Sequence, residues 1–151
     1  MAVFLLLVSL IVLFYIFIGY SGILLVFSAL FGKKVHKDDI CPMVSIIISA
    51  YNEEDVIKQK LDNTLALDYP ADKLEIIVAS ESKDNTHTLV RQYEDKGIVL
   101  YAYEKREGKR ATLYKTVPLA KGEIVVFSDA NAMYEQDAIK KLARNFADRR
   151  I

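Results

Sequence analysis

Residues 2–32 contain no Asp, Glu, Lys, Arg or His, and this run limits the possible folds more than any other feature of the sequence. It is longer than the ~20 apolar residues that cross a bilayer as an α-helix. Gly19 and Gly22 lie within it, and membrane helices tolerate glycine better than soluble helices do. A cleaved signal peptide is the alternative, but it would carry basic residues before the apolar segment and a small-residue cleavage site after it. We therefore predict one transmembrane helix over residues 1–32.

The charges beside this helix predict its orientation. Lys33, Lys34 and Lys37 follow the apolar run, whereas no Lys or Arg precedes it. The positive-inside rule then gives a single-pass protein with the N-terminus outside and the remaining chain in the cytoplasm, although the same lysines would also serve to end a helix in solvent. Residues 33–42 are predicted to form a juxtamembrane linker. The lone Cys41 within it agrees with a reducing compartment.

Residues 43–151 alternate between strand and helix patterns. Short runs rich in β-branched residues predict buried strands at 43–49, 74–79, 98–103 and 123–127. Amphipathic spacing predicts four helices, which begin at the N-cap Asn52, after the polar turn 80–85, near Glu107 and near Gln136. The third is predicted to reach about Ala120, with Pro118 ending or kinking it, and the last to include Phe146. This order predicts an α/β fold with a doubly wound, mostly parallel sheet and right-handed crossovers.

Polar segments follow three of the predicted strands, at residues 50–52, 80–82 and 128–131. Ligands of doubly wound sheets bind at such strand ends. The sequence lacks G-x-G-x-x-G, G-x-x-x-x-G-K-[ST], zinc-ligand spacing and G-x-S-x-G, which weighs against dehydrogenases, P-loop proteins and hydrolases. The 20 basic and 20 acidic residues balance, so no nucleic acid partner is expected. His87 is predicted to lie exposed on its helix.

Asp129-Ala130-Asn131 has two interpretations. Alternate residues of an extended segment point to the same side, so both oxygen-bearing side chains would reach one Mg or Mn ion. An Asx-turn before the last helix is the alternative, and spacing alone favours it. Lys109 after Gly108 is similarly either a phosphate ligand or a solvated lysine at a helix start. Tyr51 and Glu53 are either base contacts or turn and cap residues.

Four ordered segments resemble a known family. They are V-S-I-I-I-S-A-Y-N-E-E, L-E-I-I-V-A-S-E-S-K-D-N-T, R-E-G-K-R-A-T-L and G-E-I-V-V-F-S-D-A-N. In order and spacing they are similar to the N-terminal half of a family 2 glycosyltransferase with a GT-A fold, from about Val44 to Phe146. The resemblance implies transfer of a sugar from a nucleotide donor, commonly UDP-linked, usually with inversion. It also implies a polysaccharide or lipid acceptor for members that begin with a membrane helix.

The resemblance also assigns roles to individual positions. Its nucleotide-binding positions are Ala50, Tyr51, Glu53, Ser80, Lys109 and Asp129. Asp129 and Asn131 occupy the D-x-D positions, which implies a Mg or Mn ion bridging the donor diphosphate. Ser80 replaces an aspartate that contacts the base, which puts the preference for uracil in doubt. Asn131 replaces the second aspartate, so we expect a weakened rather than an absent metal site.

No catalytic residue is predicted, because an inverting transfer needs a general base and none is identifiable. The acids after Asn131 are Glu135, Asp137 and Asp148, and the last two are predicted to be solvated. The domain at 43–151 is therefore expected to be incomplete at its C-terminus and to need a C-terminal half or a partner subunit. The alternative to a glycosyltransferase fragment is a non-catalytic, membrane-tethered module that binds a nucleotide sugar or another protein.

Overall fold

The computed structural model describes residues 1–148 and residue 150. It divides into two compact units, Met1–Val35 and His36–Ile151. The first unit is a single helix, α1 (Ala2–Phe31), with one wider turn at Tyr15–Gly19. At 1.5 Å per residue its 30 residues extend about 45 Å, more than the ~30 Å hydrocarbon core of a bilayer. Among the described residues this is the one helix long and apolar enough to cross a membrane, and its apolar side chains are exposed.

The second unit is built on a four-stranded parallel sheet. Its strands are β1 (Val44–Ala50), β2 (Leu74–Ser80), β3 (Ile98–Ala102) and β4 (Ile124–Asp129). They lie in the order β3-β2-β1-β4. The chain therefore adds β2 and β3 on one side of β1 and then places β4 on the other side of β1. The carboxyl ends of β1 and β4 are therefore neighbours at the point where the order reverses, which is where sheets of this kind bind ligands.

Helices cover both faces of the sheet. They are α2 (Ile57–Leu65), α3 (Thr86–Arg91), α4 (Lys109–Thr116) and α5 (Ala138–Ala143). Ile46 and Ile48 of β1 belong to the core under α2, α3 and α5, whereas Ile47 belongs to a smaller core with Leu113 of α4. A strand covered on both faces must be apolar at consecutive positions. The predicted α/β fold with a mostly parallel sheet is confirmed.

Several element boundaries differ from the sequence-based prediction. β4 continues past Phe127 to Asp129, which pairs with Ser49 of β1. The first helix of the domain begins at Ile57 rather than at Asn52, whose backbone is left-handed (φ 55°). Asn52 cannot cap the helix because it joins the next loop: its N–H donates to Ser82 Oγ (2.8 Å) and its Oδ1 accepts from Lys83 N (2.9 Å).

The last two helices are also shorter than predicted. The helix expected over 107–120 covers only Lys109–Thr116, and Pro118 lies in the single turn Val117–Leu119 that follows it. The last helix ends at Ala143 and continues as a tighter turn, Arg144–Ala147. Amphipathic spacing continues through such turns, so it does not locate the end of an α-helix.

Gly122 lies two residues before β4 and has no room for a side chain. Its N–H donates to Ser45 Oγ (2.8 Å), and an added Cβ would lie 2.8 Å from the carbonyl carbon of Val44 and closer still to Ser45 N. We expect Gly122→Ala to lower the free energy of unfolding by about 2 kcal/mol, because the backbone itself must shift. Thermal unfolding in detergent micelles measures this. Gly22→Ala in α1 controls for glycine replacement as such, since a Cβ there meets nothing within 4 Å; a Gly122→Ala variant as stable as wild type would contradict the prediction.

Candidate functional site

A cavity of about 370 Å³ opens at the carboxyl ends of β1, β2 and β4. Its lining residues are Ser49, Ala50, Tyr51, Glu53, Ala79, Glu81, Arg106, Gly108, Lys109, Thr112, Asp129 and Asn131. The cavity thus brings together all but one of the residues that the sequence assigned to nucleotide or metal binding. Their roles in binding stay predictions.

Asp129 is the carboxylate at the end of β4, and two neighbours converge on one of its oxygens. Lys109 Nζ forms an ion pair with Asp129 Oδ1, and Ser49 Oγ donates to the same oxygen (3.1 Å). The Lys109 ammonium holds the pKa of Asp129 below its ordinary value, with further lowering from the Ser49 hydroxyl and the nearby Lys60 charge. The carboxylate is therefore ionised at neutral pH and remains open to solvent.

The segment after Asp129 is tied to α2. Lys60 is fully buried, and its ammonium donates to the carbonyl oxygen of Ala132 and lies 3.9 Å from the ring centroid of Tyr134. Asn63 Nδ2 donates to Tyr134 O (2.9 Å), and Tyr134 N donates to Asn63 Oδ1 (2.8 Å). These contacts fix the residues that immediately follow Asn131, which lines the cavity.

Burial makes Lys60 a pH-sensitive contributor to stability. Desolvation lowers its pKa to about 8, against a smaller opposing effect of the Asp129 charge. Since the unfolded chain holds this proton up to about pH 10.5, the penalty for burying the ammonium is fully present below pH 8 and disappears by pH 10.5. We expect wild type to gain about 3 kcal/mol relative to Lys60→Met between these pH values. Unfolding of both proteins across this range, without metal, measures the difference; a constant difference would contradict it.

Glu81 organises the loop before α4. Its side chain is buried, and its two carboxylate oxygens accept the backbone N–H groups of Glu107 and Gly108 (2.9 Å each). Burial by itself would raise the pKa of Glu81, but these two amides and the Thr112 hydroxyl more than offset it, so the pKa lies below its ordinary value. Gly108 has φ 89° and ψ 160°, a conformation that is essentially restricted to glycine. The loop geometry that brings Lys109 to the cavity therefore depends on both residues.

An aromatic ring and a guanidinium form one wall of the cavity. The guanidinium carbon of Arg106 lies 4.1 Å from the centroid of the Tyr51 ring. Arg106 is exposed, so its charge is available to an anion while its planar group stacks on the tyrosine.

Polar contacts join the loop after β1 to the loop after β2. Thr86 Oγ1 accepts from Glu53 N (2.9 Å) and donates to Asp84 Oδ1 (2.6 Å). Asp84 Oδ2 in turn accepts from Glu54 N (3.2 Å). Burial would raise the pKa of Asp84, but the hydrogen bonds from Thr86 and Glu54 lower it overall. The backbone position of Glu53 at the cavity is thus set by the neighbouring loop.

Ser80 is the predicted site residue that the structure does not bring to the cavity. It is fully buried; its hydroxyl donates to Ser82 Oγ (2.8 Å) and lies 2.9 Å from His87 Nε2. The prediction that His87 is exposed was therefore wrong, because the imidazole turns inward to bond this hydroxyl. Ala79 and Glu81, the neighbours of Ser80, line the cavity instead.

No acid after Asn131 in the described part of the chain lines the cavity. Glu135 and Asp137 pair with Lys141 at 3.2 and 2.9 Å. Asp148, predicted to be solvated, is instead buried: it accepts from Arg150 and from His36 N (3.0 Å), and these bonds, the Arg150 contact first, lower its pKa. Its carboxylate is thus engaged with Arg150 and with the linker residue His36.

The oxygen donors at the end of β4 fit a divalent cation that is shared with a ligand. Among the described residues, no group of three or more His, Cys, Asp or Glu side chains could enclose a metal. Asp129 and Asn131 supply one carboxylate and one amide oxygen at the same cavity. Mg²⁺ is usually held by one or two carboxylates together with substrate phosphates and water, rather than by an all-protein cage.

The residues that the sequence did not predict individually include Ser49, Glu81, Arg106 and Thr112 of the cavity lining, and Lys60, which bonds the segment after Asn131. A signal existed for Lys60, which lies three residues after Ile57 and four before Thr64 and so shares the buried face of α2. Glu81 stands at a predicted strand end, the position where ligands are expected. Arg106 and Thr112 lie in the R-E-G-K-R-A-T-L segment, but nothing in their spacing points to a role, since only the folded loop brings them to Tyr51 and Glu81.

Comparison with known proteins shows the family of this chain. Residues 45–151 match the family described as Glycosyl transferase family 2. The chain belongs to this family. Its relatives include a beta-monoglucosyldiacylglycerol synthase of Trichormus variabilis, 32% identical over 65% of this chain and 22% of that protein. A poly-beta-1,6-N-acetyl-D-glucosamine synthase of Staphylococcus aureus is 31% identical over 68% of this chain and 25% of that protein. This family 2 chain thus spans about a quarter of the length of these relatives.

Solved structures agree with the GT-A-like fold of this family 2 chain. A mannosyltransferase from Pyrobaculum calidifontis, in complex with GDP-Man and Mn²⁺, superposes with a TM-score of 0.73 and 35% identity. The match covers 76% of this chain and 35% of that one. TarS 1-349 of S. aureus, in complex with UDP-GlcNAc, superposes with a TM-score of 0.62 and 26% identity over 66% of this chain and 30% of that one. The predicted membership in glycosyltransferase family 2 is confirmed.

Proposed function

We propose that this chain is the nucleotide-sugar-binding part of a membrane-anchored glycosyltransferase that uses Mg or Mn and acts on a polysaccharide or lipid acceptor. The observation that carries the proposal is the cavity at the end of β1 and β4, where Lys109, Arg106 and Asp129 converge. Two positively charged side chains and an ionised carboxylate in one cavity suit a diphosphate that is bound together with a metal ion.

The compounds named for the relatives support the substrate classes. GDP-Man and UDP-GlcNAc are the ligands of two solved relatives, so a nucleotide sugar is the expected donor. The UDP form is proposed from the family resemblance, and the UDP-GlcNAc ligand of one solved relative supports it. One relative is named for a glucosylated diacylglycerol and another for a polymer of N-acetylglucosamine, which supports a lipid or a polysaccharide acceptor.

Each part of the cavity has a separate task in this proposal. Asp129 and Asn131 would hold the cation, which would supply positive charge to offset that of the nucleoside diphosphate. Lys109 and Arg106 contact the phosphates, and the Tyr51 ring, with Ala50 and Glu53, contacts the base and ribose. The general base comes from a C-terminal half of the enzyme or from a partner subunit.

Calorimetric titration of the full chain in detergent micelles tests the proposal. UDP and GDP are titrated with Mn²⁺ and again with EDTA, and UMP serves as the control ligand that lacks the second phosphate. We expect at least one diphosphate to bind about tenfold or more tightly with Mn²⁺, and UMP to show little metal dependence. Absence of binding by every nucleotide would refute the proposal. Binding without turnover, even when a C-terminal half is supplied, would instead favour a non-catalytic nucleotide-sugar-binding module.

The same proposal places α1 across the membrane, with the N-terminus outside and the domain in the cytoplasm. Cys41 is exposed and is the one cysteine of the sequence, so it reports this directly. We expect a membrane-impermeant maleimide to label Cys41 in permeabilised cells but not in intact ones. Ala2→Cys in a Cys41→Ser background is the matched control and should be labelled in intact cells. Labelling of Cys41 in intact cells would contradict the orientation.

A further inference from the structure

The ion pair between Lys109 and Asp129 gives the proposed metal site an internal competitor. Lys109 Nζ and Ser49 Oγ both bond Asp129 Oδ1. Asp129 supplies the one carboxylate of the Asp129–Asn131 pair. With the ammonium in contact, the pair has no net charge, and Asn131 adds none. A divalent cation approaching from solvent therefore meets little net attraction and competes with the lysine for Asp129.

We propose that Lys109 moves from Asp129 to the diphosphate when the nucleotide binds, so that nucleotide and divalent cation bind this site cooperatively. The inference rests on the proposed function and deepens it. Lys109 shields the carboxylate in the free protein, and a diphosphate, which carries more negative charge than one carboxylate, attracts its ammonium. Asp129 is then free to bind a cation beside the phosphates. By linkage, the cation raises the affinity for nucleotide by the same factor.

The surroundings of Lys109 permit this movement. Its backbone is the first residue of α4, and the preceding loop is held by the bonds from Glu107 N and Gly108 N to Glu81. The side chains of Lys109 and Asp129 are 57% and 54% exposed, so solvent already screens their attraction. The side chain can therefore swing on four rotatable bonds while the loop stays in place.

Mn²⁺ binding in the absence of nucleotide is the decisive measurement. The full chain in detergent micelles is titrated with Mn²⁺ alone, followed by the electron paramagnetic resonance signal of free Mn²⁺, and then again with saturating UDP or GDP. Lys109→Met keeps the length of the side chain and removes its charge. We expect it to bind Mn²⁺ alone about two- to fivefold more tightly than wild type, because an exposed ion pair is weak competition. The gain in Mn²⁺ affinity on adding nucleotide should shrink correspondingly.

Lys105→Met is the matched control for charge. Lys105 lies on the same loop, is 84% exposed and pairs with Glu107 (3.7 Å) instead of Asp129. Its replacement should leave both Mn²⁺ affinities as in wild type. Unchanged or weaker Mn²⁺ binding by Lys109→Met, or an equal gain in Lys105→Met, overturns the inference while metal-dependent nucleotide binding by wild type keeps the proposed function. Failure of wild type to bind UDP or GDP with Mn²⁺ overturns both.

Discussion

Asp129→Ala is expected to reduce the Mn²⁺-dependent affinity for a nucleoside diphosphate by about 100-fold or more. Loss of a partner behind a metal ligand already costs 10–100-fold in metal affinity, and here the carboxylate ligand itself is lost. The substitution also releases Lys109, which is ion-paired to Asp129. Affinity measured with EDTA should therefore change little or rise slightly. Calorimetric titration with and without Mn²⁺ separates the two effects.

Asn131→Asp is the companion variant and should act in the opposite direction. It adds a second negative charge at the same cavity and so should tighten Mn²⁺-dependent binding by about tenfold. Ser128→Ala is the control for the end of β4: its hydroxyl donates to the backbone oxygen of Asp129 and does not contact the carboxylate. Unchanged nucleotide affinity in both Asp129→Ala and Asn131→Asp would mean that D-A-N is only a turn.

The fold was predictable because its signals are local. β1 is apolar at consecutive positions, which suits a strand covered on both faces, and the structure places Ile47 and Ile48 in cores on opposite sides of the sheet. Asp129 follows a predicted strand and Lys109 follows a glycine before a helix, but these patterns alone favoured a turn and a solvated lysine. The resemblance to family 2 glycosyltransferases assigned both residues to the site. Their ion pair was not predictable, since it joins residues twenty positions apart through the order of the strands.

Side-chain direction explains what the sequence did not predict. Asn52 is a residue type that favours helix N-caps, but its left-handed backbone turns it toward Lys83 and Ser82 on another loop. Asp148 looked solvated beside other charges, yet it is buried against the backbone of His36, more than a hundred residues away. Such contacts are set by tertiary structure, and neither periodicity nor capping preference records them.

Glu81→Gln is expected to cause the largest loss of stability among the site variants, about 2–3 kcal/mol. The carboxylate accepts two backbone N–H groups, from Glu107 and Gly108, and a glutamine side chain has one oxygen to offer and an NH₂ that opposes the other N–H. A buried donor left without an acceptor costs about 1–3 kcal/mol. Because the loop that carries Arg106 and Lys109 is then released, nucleotide affinity should fall as well. Thermal unfolding and calorimetric titration measure the two losses.

Glu75→Gln is the matched control, because it makes the same change at the opposite end of the sheet. Glu75 Oε2 accepts from Lys121 N (2.8 Å) and Ser45 Oγ (2.5 Å), far from the cavity. It should lose stability and keep its affinity for nucleotide. The stability that Glu81 supplies is present above its unfolded pKa and is lost as the pH falls through its lowered folded pKa, so wild type and Glu81→Gln should converge in acid. Equal nucleotide affinity in the two variants would show that Glu81 does not position the loop before α4 for nucleotide binding.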